Sequence, residues 1–284
     1  VYDDVSADPT HIVVSTINPY LIEAPNVLIG NRSKPILPMP AIIEGITPLD
    51  NGLMSFSHEE YVDFIKKEPD SKPWFKKWVT GDSYINNYEM HCLWMPNISP
   101  KEIRSLPYIK EITEKVRDFR LNSKSSQKFA TTPWLFRETT IPDSYIIIPK
   151  TSSETRQYVP IGFISDAITS SSSLILNTKD LFIFGVMLSI MHMAWMRSIG
   201  GRLESRFRYS AGIVYNNFPW PENPSEKQKQ TIETAAQGVL DARLQYPDSS
   251  LADLYDPLTM PPVLLKAHQT LDKAVDAAYG KTGF

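Results

Sequence analysis

Residues 145–176 read YIIIPKTSSETRQYVPIGFISDAITSSSSLIL. Three short β-rich pieces stand in this stretch: Tyr145–Pro149, Tyr158–Ile164 and Leu174–Leu176. Turn chemistry separates them, first Thr151-Ser-Ser-Glu154 and then Ser170–Ser173. Upstream, Trp134–Thr140 is a fourth β-rich piece, set off by Pro142-Asp143. Short strands divided by turns predict a small sheet, mostly antiparallel or mixed.

Helical patterns lie on both sides of this sheet, so the expected class is α+β with flanking helices. Ser57-His-Glu-Glu60 is a capping box that opens a helix to about Lys67. Ser99-Pro100-Lys-Glu starts another, with proline at the first helical position. Ile109, Ile112, Val116 and Phe119 recur at three and four, which predicts a helix over Ile109–Leu121. Its other side carries Lys110, Lys115, Arg117 and Arg120. Asn122–Lys128 is polar, without periodicity, and reads as a loop.

Asp180–Ser198 predicts an apolar helix capped by Asn177 or Thr178 and ended by Gly200-Gly201. Its apolar run is shorter than the ~20 residues of a membrane span, so no membrane role is expected. Two further helices follow, Ser225–Gln245 and Pro261–Tyr279, forming a C-terminal helical subdomain. Elsewhere, Asp70–Asn87 reads as an aromatic loop, and His91–Met95 as a strand. Residues 1–50 are rich in proline and read as an extended connector with one strand, His11–Ile17. The expected division is 1–50 connector, 51–221 sheet domain and 222–284 helical subdomain.

The chain has 284 residues and one cysteine, Cys92, so a disulfide framework and a cysteine-based zinc site are excluded. It starts at Val1 without a basic-then-apolar leader, which suggests a piece of a longer protein. Net charge is −3, which on its face argues against a nucleic-acid binder. That average hides an asymmetry. Residues 1–100 carry net −6, residues 101–210 net +6, and residues 211–284 net −3. A basic middle between acidic ends is a partner signal, although solvated helix faces produce the same pattern.

Catalytic patterns are missing. The sequence contains no phosphate loop, no G-x-G-x-x-G and no G-x-S-x-G elbow. His192 sits among Met191 and Met193 and reads as a core histidine. Asn18-Pro19-Tyr20 is short of the Asn-Pro-Pro-Tyr loop with which amino-group DNA methyltransferases hold a flipped base, and reads as a turn. No catalytic residue and no metal ligand are therefore expected in this stretch.

Four stretches carry a family resemblance. They are INPYLIEAPNVLIGNRSKP (17–35), VRDFRLNSKSSQKFATTP (116–133), IIPKTSSETRQYVPIGF (147–163), and HMAWMRSIGGRLESRFRYSAGIVYNNFPWP (192–221) with LADLYDPLTMPPVLLKAHQTLDKAVDAAYG (251–280). Together they resemble the C-terminal half of MmeI-like type IIG/IIL restriction-modification proteins. Those are single chains with nuclease, adenine-N6 methyltransferase and target-recognition parts. The resemblance implies a DNA target-recognition domain with a helical tail, from a bacterial-type cytoplasmic enzyme. It also implies that the S-adenosylmethionine and magnesium sites belong to other parts of the parent protein. Its partners would be double-stranded DNA and the methyltransferase domain of the same chain.

Base recognition needs forked donors for guanine and a carboxylate acceptor for cytosine, while Lys, Arg and Ser hold phosphates. Lys150-Thr-Ser-Ser-Glu-Thr-Arg-Gln157 offers both kinds of group. Glu154 and Arg156 are two apart and share a side on extended backbone. From residues alone, a local ion pair in a β-turn accounts for them as well. The resemblance favours base contact, with Lys150, Ser152 and Ser153 nearby. Arg202, Arg206, Arg208, Tyr209 and Ser210 form a second candidate stretch. Arg202 and Arg206 would share a face if it were helical. Lys124 and Lys128 are candidate phosphate contacts. Tyr215, Phe218 and Trp220 read as packing residues. Acidic Asp272 and Asp276 read as part of a scaffold; a protein-interaction module is the competing class.

Overall fold

The computed structural model describes residues 13–18, 23 and 25–280. Of the expected strand at His11–Ile17, His11 and Ile12 lie outside these residues. Residues 13–16 are not strand, and Ile17 makes a single bridge to Glu23. Pro19 and Tyr20 also lie outside.

Two short strands come first, β1 (Ile42–Glu44) and β2 (Ser55–Ser57). Ser57 caps α1 (His58–Lys67) with the expected reciprocal box: its hydroxyl accepts from Glu60 N, and the Glu60 carboxylate accepts from Ser57 N. The next stretch departs from expectation. Asp70–Asn87 is not a loop but holds β3 (Phe75–Val79) and α2 (Gly81–Asn86), the latter capped by Thr80. Phe75, Trp78 and Val79 are buried while Lys76 and Lys77 are exposed, so the strand lacks simple alternation. β4 (Met90–Leu93) is the strand expected there. Then α3 (Pro100–Ser105), capped by Ser99, and α4 (Pro107–Leu121) both begin with proline.

Arg120 corrects the basic face expected on α4, because it is fully buried. Its Nε donates to Leu49 O, Nη1 to Phe129 O and Thr132 O, and Nη2 to Pro48 O and Leu135 O, at 2.7–3.0 Å. Five carbonyls thus meet the five N–H groups of one guanidinium. The same geometry explains why Trp134–Thr140 is not a strand. Its Leu135 carbonyl turns toward Arg120, and its rings Trp134 and Phe136 fill the core formed by α1, α4 and β2–β4.

The predicted sheet forms around β5 (Ser144–Pro149), followed by β6 (Thr151–Ser152), β7 (Gly162–Ser165), β8 (Ala167–Thr169) and β9 (Ser173–Leu176). The order β1-β9-β5-β7 is antiparallel throughout. Tyr158–Ile161 is buried but lies before β7, so the strand is shorter than Tyr158–Ile164 suggested. Asp166, at φ +48°, turns the chain out of this sheet. β8 then joins a second sheet, β2-β4-β3-β8, parallel to β3.

The apolar run makes two helices, α5 (Leu181–Leu188) and α6 (Ile190–Ile199), bent by 57° at Ser189. Asp180, not Asn177 or Thr178, caps α5 by accepting from Phe182 N and Ile183 N. Two more strands, β10 (Gly201–Leu203) and β11 (Arg206–Arg208), form a third sheet with β6. The chain closes with α7 (Glu226–Leu244), α8 (Leu251–Leu254) and α9 (Pro262–Ala278). The fold is thus mixed α+β, with three small sheets and C-terminal helices. α5, α7 and α9 pack with β5 and β9 in the larger core, where His192, Tyr215, Phe218 and Trp220 are buried as expected. Asp272 joins α9 to the rest: it accepts from Tyr158 Oη (2.6 Å) and Ile190 N (2.8 Å). Among the described residues, no single helix is long and apolar enough to cross a membrane.

Candidate nucleic-acid interface

The arginine stretch after α6 is a hairpin rather than a helix. Gly200 permits the exit, since a Cβ there would lie 2.4 Å from Met196 O. Glu204 and Ser205 make a two-residue turn, with Glu204 in the left-handed region at φ +58°. Leu203 faces Arg206, Arg202 faces Phe207, and Gly201 faces Arg208. Alternation therefore puts Arg206 and Arg208 on one face and Arg202 with Phe207 on the other. The helical pairing of Arg202 with Arg206 is corrected.

Phe207 anchors the hairpin. It is buried, with the guanidinium of Arg202 3.9 Å from its ring centroid and that of Arg197 at 5.7 Å. β11 pairs with β6, matching Phe207 to Ser152 and Arg208 to Thr151. Tyr209 N donates to Lys150 O at 2.8 Å and extends this pairing. Two candidate stretches some fifty residues apart in the chain therefore become neighbouring strands.

Beyond β6, Glu154 and Thr155 form a turn, so Glu154 and Arg156 do not alternate on extended backbone. Glu154 is exposed. Hydrogen bonds from its own backbone and from Ser205 hold its carboxyl below the usual range, helped by Arg202 and Arg206. Arg156 is half-buried, with Nη1 3.5 Å from Ser152 Oγ. Arg197 fixes the turn from beneath by donating to Arg156 O (3.0 Å) and Gln157 O (2.6 Å). Burial depresses the pKa of both arginines from a very high starting value, and they remain cationic.

An open groove of about 370 Å³ runs between this turn and α2, with Ser153, Arg156, Leu203 and Arg206 on one side and Asp82 and Asn86 on the other. Some candidates do not join it. Tyr209 is buried with its hydroxyl 2.9 Å from His192 Nε2, so it has no hydroxyl to offer a ligand. Ser152 is buried too. Lys150 pairs with Glu44 at 2.8 Å, beside a separate recess that includes Arg208 and Ser210. Lys124 and Lys128 are exposed in the segment after α4, with Lys128 Nζ 5.0 Å from the Phe129 ring. Arg197 and Phe207 position the site but were not expected to. The only sequence trace of their roles is a basic residue ending an apolar helix and an aromatic between two arginines.

The family described as the MmeI target recognition domain matches residues 23–222, and the MmeI C-terminal domain matches residues 224–284. The chain belongs to the MmeI family. It is 39% identical over 281 residues to DNA methyltransferase A of Bacillus subtilis (strain 168), covering 98% of this chain and 32% of that protein. A solved structure of the type IIL restriction-modification enzyme MmeI in complex with DNA superposes with a TM-score of 0.94 at 46% identity. That match covers 100% of this chain and 38% of the other. The chain thus spans about a third of the length of these relatives and corresponds to the recognition and C-terminal portion of MmeI.

Proposed function

We propose that this MmeI-family portion reads the target sequence of double-stranded DNA for a longer restriction-modification enzyme that methylates adenine at N6. The observation that carries this reading is the β10–β11 ribbon, which presents Arg206 and Arg208 on one face beside the Glu154–Arg156 turn. A two-stranded ribbon fits the major groove, where an arginine fork matches guanine and a carboxylate accepts from cytosine. Arg206, Arg156 and Glu154 are assigned to base edges. Arg208, Ser153, Ser210, Lys124 and Lys128 are assigned to phosphates, which fix register without reading sequence.

In this reading residues 51–221 are the recognition domain, residues 1–50 connect it to a methyltransferase domain, and residues 222–284 are a helical scaffold. The S-adenosylmethionine and magnesium chemistry and the flipping of the adenine belong to the other domains. The enzyme would work in a bacterial cytoplasm.

The test is the methylated motif of the full-length protein, mapped on genomic DNA. Glu154→Gln with Arg156→Gln is expected to relax or change one position of the motif, at about 1–3 kcal/mol per lost bidentate contact. An unchanged motif refutes the assignment of these two residues. No DNA binding by the full-length protein, or binding that is insensitive to salt, would instead favour a protein-docking module.

A further inference from the structure

Away from the groove, three side chains converge at the start of α1. Register explains the cluster. β2 and β4 pair antiparallel with Phe56 opposite His91 and Ser57 opposite Met90, and just past the end of this pairing His58, the first residue of α1, comes beside Glu89. Glu89, immediately before β4, and His91 are two apart and lie within 3.2 Å of each other. His58 Nδ1 lies 3.4 Å from His91 Nε2 and 3.4 Å from one Glu89 oxygen. The other Glu89 oxygen lies 3.2 Å from His91 Nε2. Tyr61 stacks on the His91 ring at 3.9 Å and fixes its plane.

We propose that His58, Glu89 and His91 form a zinc-class metal site, with a fourth position open to water or another oxygen donor. The distances support this assignment. Ligand bonds of about 2.05 Å place neighbouring ligand atoms ~3.3 Å apart around a tetrahedral ion, against ~2.9 Å around an octahedral one. The 3.4 Å between the two imidazole nitrogens fits the tetrahedral ion, and each nitrogen has its own Glu89 oxygen within 3.2–3.4 Å, so the carboxylate lies within reach of the same ion. Two imidazole nitrogens with one carboxylate suit zinc or cobalt and not the oxygen-seeking calcium or magnesium. Two ring nitrogens facing each other make at best one hydrogen bond, whereas a cation satisfies both. Lys77 lies opposite His91 and opposes a cation, but it is exposed and its field is screened by water. A bound ion would clamp the first turn of α1 to β4.

The test is titration of the untagged full chain with Co²⁺ alone, read by visible absorption, followed by displacement with Zn²⁺ and thermal unfolding with and without EDTA. The expected result is one saturable tetrahedral cobalt spectrum, and a melting temperature raised by metal. His58→Ala and Glu89→Gln each remove an exposed ligand. Either should weaken binding at least as much as the 10–100-fold, roughly, that accompanies loss of an outer-shell partner. Lys77→Gln should tighten it. No tetrahedral spectrum, or the same spectrum and affinity in His58→Ala and Glu89→Gln, would overturn the proposal and leave an ion-paired triad only.

Discussion

Arg206 and Arg208 share a face, but their surroundings differ, and that difference predicts unequal effects. Arg206 already holds Glu204 at 2.7 Å, an exposed pair. Arg208 lies at the other end of β11, opposite Thr151. DNA must displace Glu204 from Arg206, and the displaced carboxylate then lies near phosphate. Each phosphate contact contributes about 0.9 to the slope of log affinity against log salt. Across a four-fold rise in salt, that is about 3.5-fold in affinity per contact. Arg208, assigned to phosphate, should carry one such contact, so Arg208→Gln should make the slope shallower by about 0.9 and lessen the salt-induced loss by about 3.5-fold. Arg206→Gln, which removes a base-edge contact, should change the slope less. Glu204→Gln should act in the opposite sense. An exposed pair is worth about 0.2–1 kcal/mol, so freeing Arg206 raises affinity by about 1.4- to 5-fold. Arg202→Gln, on the other face and stacked over Phe207, should leave the slope unchanged. The assay is fluorescence anisotropy of a labelled duplex with the full-length protein, titrated from about 50 to about 200 mM salt. An unaltered slope in the Arg206/Arg208 double variant, or an altered one in Arg202→Gln, would refute the assignment of faces.

Two stability predictions follow from a buried cation and a buried neutral histidine. Lysine at position 120 has three donors for the five carbonyls that Arg120 serves, so two acceptors lose their partners. At about 1–3 kcal/mol each, Arg120→Lys should cost about 2–6 kcal/mol in urea unfolding, and a loss below 1 kcal/mol, roughly, would show that water replaces the guanidinium. His192 gives a pH dependence: burial lowers its pKa to about 3. With the folded value below the unfolded ~6.5, the unfolded chain binds the proton first as pH falls. Stability is therefore complete above about pH 6.5 and is lost as pH falls toward 3, by about 2 kcal/mol between pH 6.5 and 5. His268, whose pKa burial also lowers, adds in the same direction. His192→Gln, which can keep the bond to Tyr209, should flatten the slope, and an unchanged slope would refute this source.

What was legible in the sequence was what is decided within a few residues. The helix starts at Ser57, Ser99 and Ser225 formed because cap and partner lie three apart. β5 and β9 were readable from their continuous apolar character, and every residue of β9 is buried. Elements defined by distant partners were not readable. β1 is three residues long and owes its existence to β9. β3 has two adjacent buried residues and no alternation. At the interface, the two basic stretches were identifiable but their conformation was not. Arg202 and Arg206 are four apart in any conformation, and only the exit at Gly200 with the turn at Glu204 makes the stretch a hairpin.

The charge count was the least direct guide, and the structure explains why. Residues 101–210 carry net +6, but that count treats every cation as surface charge. Arg120 is fully inside, serving carbonyls. Arg197 holds the backbone of the turn. Lys150 is paired with Glu44, which belongs to the acidic first segment. Conversely, Glu204 lies inside the basic segment and occupies Arg206. A segment sum therefore overstates the free positive charge and assigns its counterions to the wrong segments. What matters for a DNA surface is which cations exchange a weak exposed partner for phosphate or a base edge. In the proposed reading, that places recognition on a few side chains of the ribbon and its neighbouring turn, which a protein of net charge −3 can supply.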